Sequence, residues 1–99
     1  MAELEIQLTE MFRDDAVVVH IDDEEVYAKE DVKTNLSVGI ADVIRASVPS
    51  GTVNVTIAMP KRRLSHRSQI SVENTLYLRV SVSQAGIVVD STHDMPEYF

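Results

Sequence analysis

Apolar and polar residues alternate along most of this chain with a period of two. Val53, Val55, Ile57 and Met59 share one parity, and Thr52, Asn54 and Thr56 the other. Leu76, Leu78, Val80 and Val82 repeat the arrangement against Tyr77, Arg79, Ser81 and Ser83. Successive side chains of a strand point to opposite faces, so the pattern predicts strands with one dry face and one wet face.

The same rule places the other elements. Leu4, Ile6 and Leu8 alternate with Glu5 and Gln7. Leu4, Leu8, Met11 and Phe12 also fit helical spacing, but a strand agrees with the rest of the chain. Val17, Val19 and Ile21 predict a strand over 16–21 that ends in the acidic turn Asp22-Asp23-Glu24-Glu25 and returns through Val26-Tyr27-Ala28 as a hairpin. Leu36, Val38 and Ile40 predict the next strand, and Ile44, Ala46 and Val48 continue its parity. Asp42 would face the core if that strand ran straight through, so a bulge or turn is expected at Ala41-Asp42. Pro49-Ser50-Gly51 is a turn, Pro60 ends the strand over 52–59, and residues 61–68 form the longest polar connection. Ile70 and Val72 mark a strand, Glu73-Asn74-Thr75 and Gln84-Ala85-Gly86 are turns, and Ile87 and Val89 begin the last strand. Seven to nine short strands at this spacing predict an all-β, antiparallel two-sheet sandwich, immunoglobulin-like or related, as a single domain over 1–99.

Composition narrows the chemistry. The chain is 44% apolar with two Phe, three Tyr and no Trp, which describes a β-branched core. It has no cysteine, and this excludes disulfides, thiolate zinc sites and cysteine nucleophiles. The first residues carry no basic segment, and no apolar run approaches the roughly 18–20 residues of a membrane helix. The expectation is a cytoplasmic protein that does not engage a membrane. The sequons at Asn35 and Asn54 are then chance matches.

Charge changes the picture more. The net charge is −7, unevenly placed: residues 1–48 hold twelve acidic and four basic side chains, residues 49–99 four and five. An acidic chain is a poor nucleic-acid binder. Lys61, Arg62, Arg63, His66 and Arg67 nevertheless form a basic segment, read as a loop, with no aromatic residue between them to stack a base. It suits an acidic protein partner or self-association, with a merely solvated loop as the plainer reading. In the C-terminal segment 94–99, Met95, Tyr98 and Phe99 either cap the open end of the sandwich or dock elsewhere.

Other chemistry has little support. The acidic turn lacks the Asp-x-Asp-x-Asp-Gly spacing of a calcium loop. His20, His66 and His93 form no metal-binding spacing, and in Ser91-Thr92-His93-Asp94 strand neighbours diverge to opposite faces. With three glycines there is no phosphate-cradling loop. No catalytic residue, metal ligand or cofactor is assigned. Sugar sites stack on exposed aromatics, for which only Tyr27, Tyr77 and Tyr98 are available, Tyr77 beside Arg79 being the best placed.

Three segments carry a family resemblance. Val17-Val18-Val19-His20-Ile21-Asp22-Asp23-Glu24-Glu25-Val26-Tyr27 resembles the opening hairpin of PEGA-type small β-sandwich modules. Pro49-Ser50-Gly51-Thr52-Val53-Asn54-Val55-Thr56-Ile57 is similar to their central turn and strand, and Leu76-Tyr77-Leu78-Arg79-Val80-Ser81-Val82 to their late strand. The resemblance implies a non-catalytic β-sandwich. It departs at the hairpin tip, which lacks a Gly after Asp22, and around Ala41-Asp42. Those modules are extracytoplasmic appendages, so their location and partners do not carry over. The pattern is also similar to uncharacterised stand-alone bacterial β-sandwich proteins, which imply no function. The resulting expectation is a non-catalytic protein-binding or assembly module and homo-oligomer. It would act through an edge strand, the basic segment 61–67 or the C-terminal segment. A carbohydrate- or calcium-binding module is the alternative.

Overall fold

The computed structural model describes residues 2–10, 12–35, 37 and 39–92, and eight strands lie among these described residues. They are β1 (Ala2–Leu8), β2 (Asp15–Ile21), β3 (Glu24–Val32), β4 (Asp42–Val48), β5 (Gly51–Met59), β6 (Leu64–Val72), β7 (Thr75–Ser83) and β8 (Gly86–Thr92). One four-stranded sheet runs β4-β1-β7-β8 and the other β3-β2-β5-β6. The expected two-sheet sandwich is therefore present. One pair is parallel, β1 with β7; the other pairs in both sheets are antiparallel. β3 lies against β4 and β6 against β8, so the edges of the two sheets coincide at two margins.

The core is the dry parity of each strand. Leu4, Ile6 and Leu8, Val17, Val19 and Ile21, Val53, Val55, Ile57 and Met59, and Leu76, Leu78, Val80 and Val82 join in one buried cluster. Each such side chain contributes roughly 1.5–3 kcal/mol when fully buried. Phe12, which the helical spacing had also used, is 2% exposed and closes one end of the core. Thr34 holds it there: its Oγ1 accepts from the Phe12 N–H at 3.0 Å and donates to the Thr9 carbonyl at 2.6 Å.

Two expectations need correction. Among the described residues of 36–40 there is no strand: Ser37 and Gly39 are in a turn, the Asn35 N–H donates to the Ile40 carbonyl and the Gly39 N–H to the Asn35 carbonyl, with Gly39 at φ 74°. Leu36 and Val38, on which that expectation rested, lie outside the described residues. The polar connection ends earlier than expected. Pro60–Arg62 is a single 3-10 turn, Arg63 takes a left-handed φ of 55°, and β6 begins at Leu64. The irregularity expected at Asp42 is the start of β4 after the turn at Ser37 and Gly39.

Candidate interaction edge

β6 is built by its turn and by β5. The Pro60–Arg62 turn closes when the Arg63 N–H donates to the Pro60 carbonyl at 3.2 Å. β6 then pairs with β5 over nine residues, from Met59↔Leu64 to Gly51↔Val72, without a register shift. Its inward parity is Leu64, His66, Ser68, Ile70 and Val72; Ser65, Arg67, Gln69 and Ser71 are exposed. His66 Nε2 lies 2.6 Å from Ser68 Oγ, a pairing of two polar groups that both face the gap between the sheets.

The direction of the free backbone groups follows from β5. The Asn54 N–H donates to Asp22 Oδ1 at 2.9 Å, and the Asn54 carbonyl accepts from the Asp22 N–H at 2.9 Å. Asn54 thus turns both groups toward the β2 side. In an antiparallel ladder alternate residues turn theirs the opposite way, so Val53, Val55, Ile57 and Met59 bond to β6. Their partners Ile70, Ser68, His66 and Leu64 are consumed by that ladder. Ser65, Arg67, Gln69 and Ser71 direct N–H and C=O away from β5, and among the described residues no strand pairs with that side.

The remaining edges differ. β3 is also nine residues long, but its pairing with β2 shifts register between Asp15 and Val17 and again between Val19 and His20. Asp31 within it sits at φ 60°. Bulges twist an edge away from further pairing. β4 and β8 are seven residues each. Among the described edge strands β6 alone combines nine residues with unbroken register.

The basic segment does not converge on one patch. Arg62 reaches back to β2, where Nε contacts Asp15 Oδ1 at 2.8 Å and a terminal nitrogen contacts Oδ2 at 3.0 Å. Asp15, nearly buried, also accepts the Arg13 N–H at 2.8 Å, so Arg62 serves the fold. A pocket of about 160 Å³ beside it is lined by Arg13, Arg62, Val82, Ser83 and Gln84. Lys61 and Arg63 are exposed at the turn, Arg67 is exposed on the outer face opposite Thr56, and His66 faces inward. Met95, Tyr98 and Phe99 lie outside the described residues, as do His93 and Asp94.

The other sequence candidates are also dispersed or engaged. Asp22 and Asp23 form the hairpin tip at φ 49° and 69°, and Glu24 and Glu25 begin β3. Among the described residues no three His, Asp or Glu side chains gather as a metal cage. Tyr27 donates its hydroxyl to Asp42 Oδ2 at 2.8 Å across the β3/β4 margin, with Lys29 Nζ 3.5 Å from the same oxygen. Tyr77 is half-buried, level with Glu5 and Thr92 on the outer face of the first sheet. Tyr98 lies outside the described residues.

Sequence reasoning missed one polar group entirely. Glu5 and Gln7 occupy the wet parity of β1, yet are 6% and 3% exposed. Gln7 Nε2 donates to Glu5 Oε2 at 2.6 Å, and Arg45 Nε to Glu5 Oε1 at 2.7 Å. The Glu5 bond, and then its charge, raise the Arg45 pKa further above its ordinary value. Gln7 Oε1 is buried with no hydrogen-bond partner. A central strand flanked by long side chains is covered on both faces, and alternation alone does not signal that.

No family model matches the chain, and neither does any curated protein or solved structure. No helix among the described residues is long and apolar enough to cross a membrane.

Proposed function

We propose that the protein is a non-catalytic protein-binding module that receives an extended polypeptide strand along β6. One observation carries the proposal: a nine-residue edge strand in unbroken register whose four exposed residues direct their backbone groups away from β5. Such an edge adds a strand by main-chain hydrogen bonding, and its side chains select the partner. Exposed Arg67, with Lys61 and Arg63 at the adjoining turn, favours a partner that is neutral or acidic at those positions. A cytoplasmic location belongs to the same proposal, and a chain without cysteine fits it.

Proline substitution tests the edge without dismantling the sheet. The Gln69 N–H points off the free side, so Gln69→Pro leaves the β5 ladder intact while removing a donor that an added strand needs. Ser68→Pro instead removes a ladder donor to β5 and is expected to lower stability where Gln69→Pro does not. Tagged wild-type and Gln69→Pro chains are compared for retained polypeptide, a second copy of the chain included. Retention by the wild type and its loss in Gln69→Pro is expected. Equal retention by both, or none by either, overturns the proposal.

A further inference from the structure

We infer that the strand received by β6 is the β6 of a second copy, paired antiparallel about a two-fold axis at Ser68. This rests on the edge-strand reading above and names its partner. Ser68 is the middle residue of Leu64–Val72, so a two-fold there overlaps all nine residues of both strands. The outward-directed groups then match: Arg67 exchanges hydrogen bonds with Gln69 of the second copy, and Ser65 with Ser71. On the inner parity Leu64 meets Val72, His66 meets Ile70, and Ser68 meets its own counterpart.

Alternative registers are poorer. A slip of one residue turns the exposed parity of one copy against the inward parity of the other. An axis at Arg67 sets that guanidinium directly opposite its twin, which is unfavourable. An axis at Gln69 leaves Leu64 and Ser65 without partners in the opposite strand. Only the Ser68 axis uses the whole strand with no like charges face to face.

Two further features suit a second copy. The β6/β8 margin presents the half-buried apolar residues Leu64, Ile70, Ile87 and Val89, all packed against the core, and a two-fold neighbour brings an equal margin against them. The clustered acids Glu24, Glu25, Glu30 and Asp31 lie on β3, at the opposite edge of the same sheet. Joining copies through β6 therefore keeps the most acidic strands apart.

A cysteine-free chain offers a direct probe. In the Ser68 register residue 68 forms a non-hydrogen-bonded pair, with Cα atoms about 4.5 Å apart, inside the span a disulfide bridges. The purified wild type is expected to have the mass of two chains by sedimentation. Ser68→Cys is expected to cross-link on mild oxidation while His66→Cys does not. Gln69→Pro is expected to have the mass of one chain with an unchanged circular dichroism spectrum. Should Gln69→Pro fail to fold, the Ser68→Cys and His66→Cys pair still decides the register. A wild type with the mass of one chain overturns the self-pairing, while the edge function survives if capture of another polypeptide is still lost in Gln69→Pro. A folded Gln69→Pro that keeps the mass of two chains overturns both. Equal cross-linking at positions 66 and 68 overturns the register.

Discussion

Tyr27 and Asp42 sit on different sheets, and the hydrogen bond between them joins β3 to β4 at one margin of the sandwich. Burial first, and the Asp42 bond second, raise the Tyr27 pKa above its ordinary value. Burial alone would push the Asp42 carboxyl up, but the Tyr27 hydroxyl, the Val43 N–H and Lys29 outweigh it and hold it below the usual range. The folded state thus prefers ionised Asp42 and neutral Tyr27. Asp42 contributes stability above its unfolded value of about 3.9, lost as pH falls through its lower folded value. Tyr27 contributes fully below about 10, and that stability is lost as pH rises through its raised folded value. Melting curves should therefore fall less steeply below pH 4 in Asp42→Asn than in the wild type. Above pH 10 they should fall less steeply in Tyr27→Phe. At neutral pH, Tyr27→Phe should cost about 0.5–1 kcal/mol, a few degrees in Tm. Parallel acid limbs for wild type and Asp42→Asn would show that the carboxyl is not held as described.

Turn chemistry decides more at the level of elements. The hairpin tip Asp22-Asp23 has both residues at positive φ, the arrangement of a type I′ turn, which favours Gly at its second position. Asp23→Gly should stabilise the protein by about 0.5–1 kcal/mol through relief of the left-handed conformation. Asp22→Gly should destabilise it, because Asp22 Oδ1 holds the Asn54 N–H. Urea midpoints read both, and a lower midpoint for Asp23→Gly would refute the turn assignment. β2, β5 and β7 were legible because their dry rows are unbroken runs of apolar residues. β6 was legible only over Ile70 and Val72, because His66 and Ser68 fall in its inward row and make its first half read as a connection. The turn at Ser37 and Gly39 was hidden by the opposite accident, apolar residues at 36, 38 and 40 at strand spacing in the sequence. Alternation records which side of a strand is dry. It does not record that an edge position near the sandwich margin tolerates a polar residue, and so the first half of the candidate edge appeared in the sequence only as a cluster of charge.

Two molecules with these edges can meet in two ways, and salt separates them. β6 against β6 is a closed two-fold contact, whereas β3 against β6 of the next copy is a head-to-tail contact that continues indefinitely. The head-to-tail contact brings the acids Glu24, Glu25, Glu30 and Asp31 against Arg67 and its basic neighbours, so screening weakens it. The two-fold contact gains nothing from opposite charges and works against the mutual repulsion of two bodies of net charge −7. Raising ionic strength from about 0.02 M to about 0.5 M shortens the Debye length from roughly 20 Å to roughly 4 Å and removes most of that repulsion. The dimer dissociation constant, measured by sedimentation equilibrium at both salt concentrations, should accordingly fall several-fold, with no species above the mass of two chains. A constant that rises with salt, or masses that grow with concentration, would exchange the two-fold for the head-to-tail contact. The double bulge of β3 opposes that outcome, since a strand whose register shifts twice offers β6 only short runs of alignable backbone.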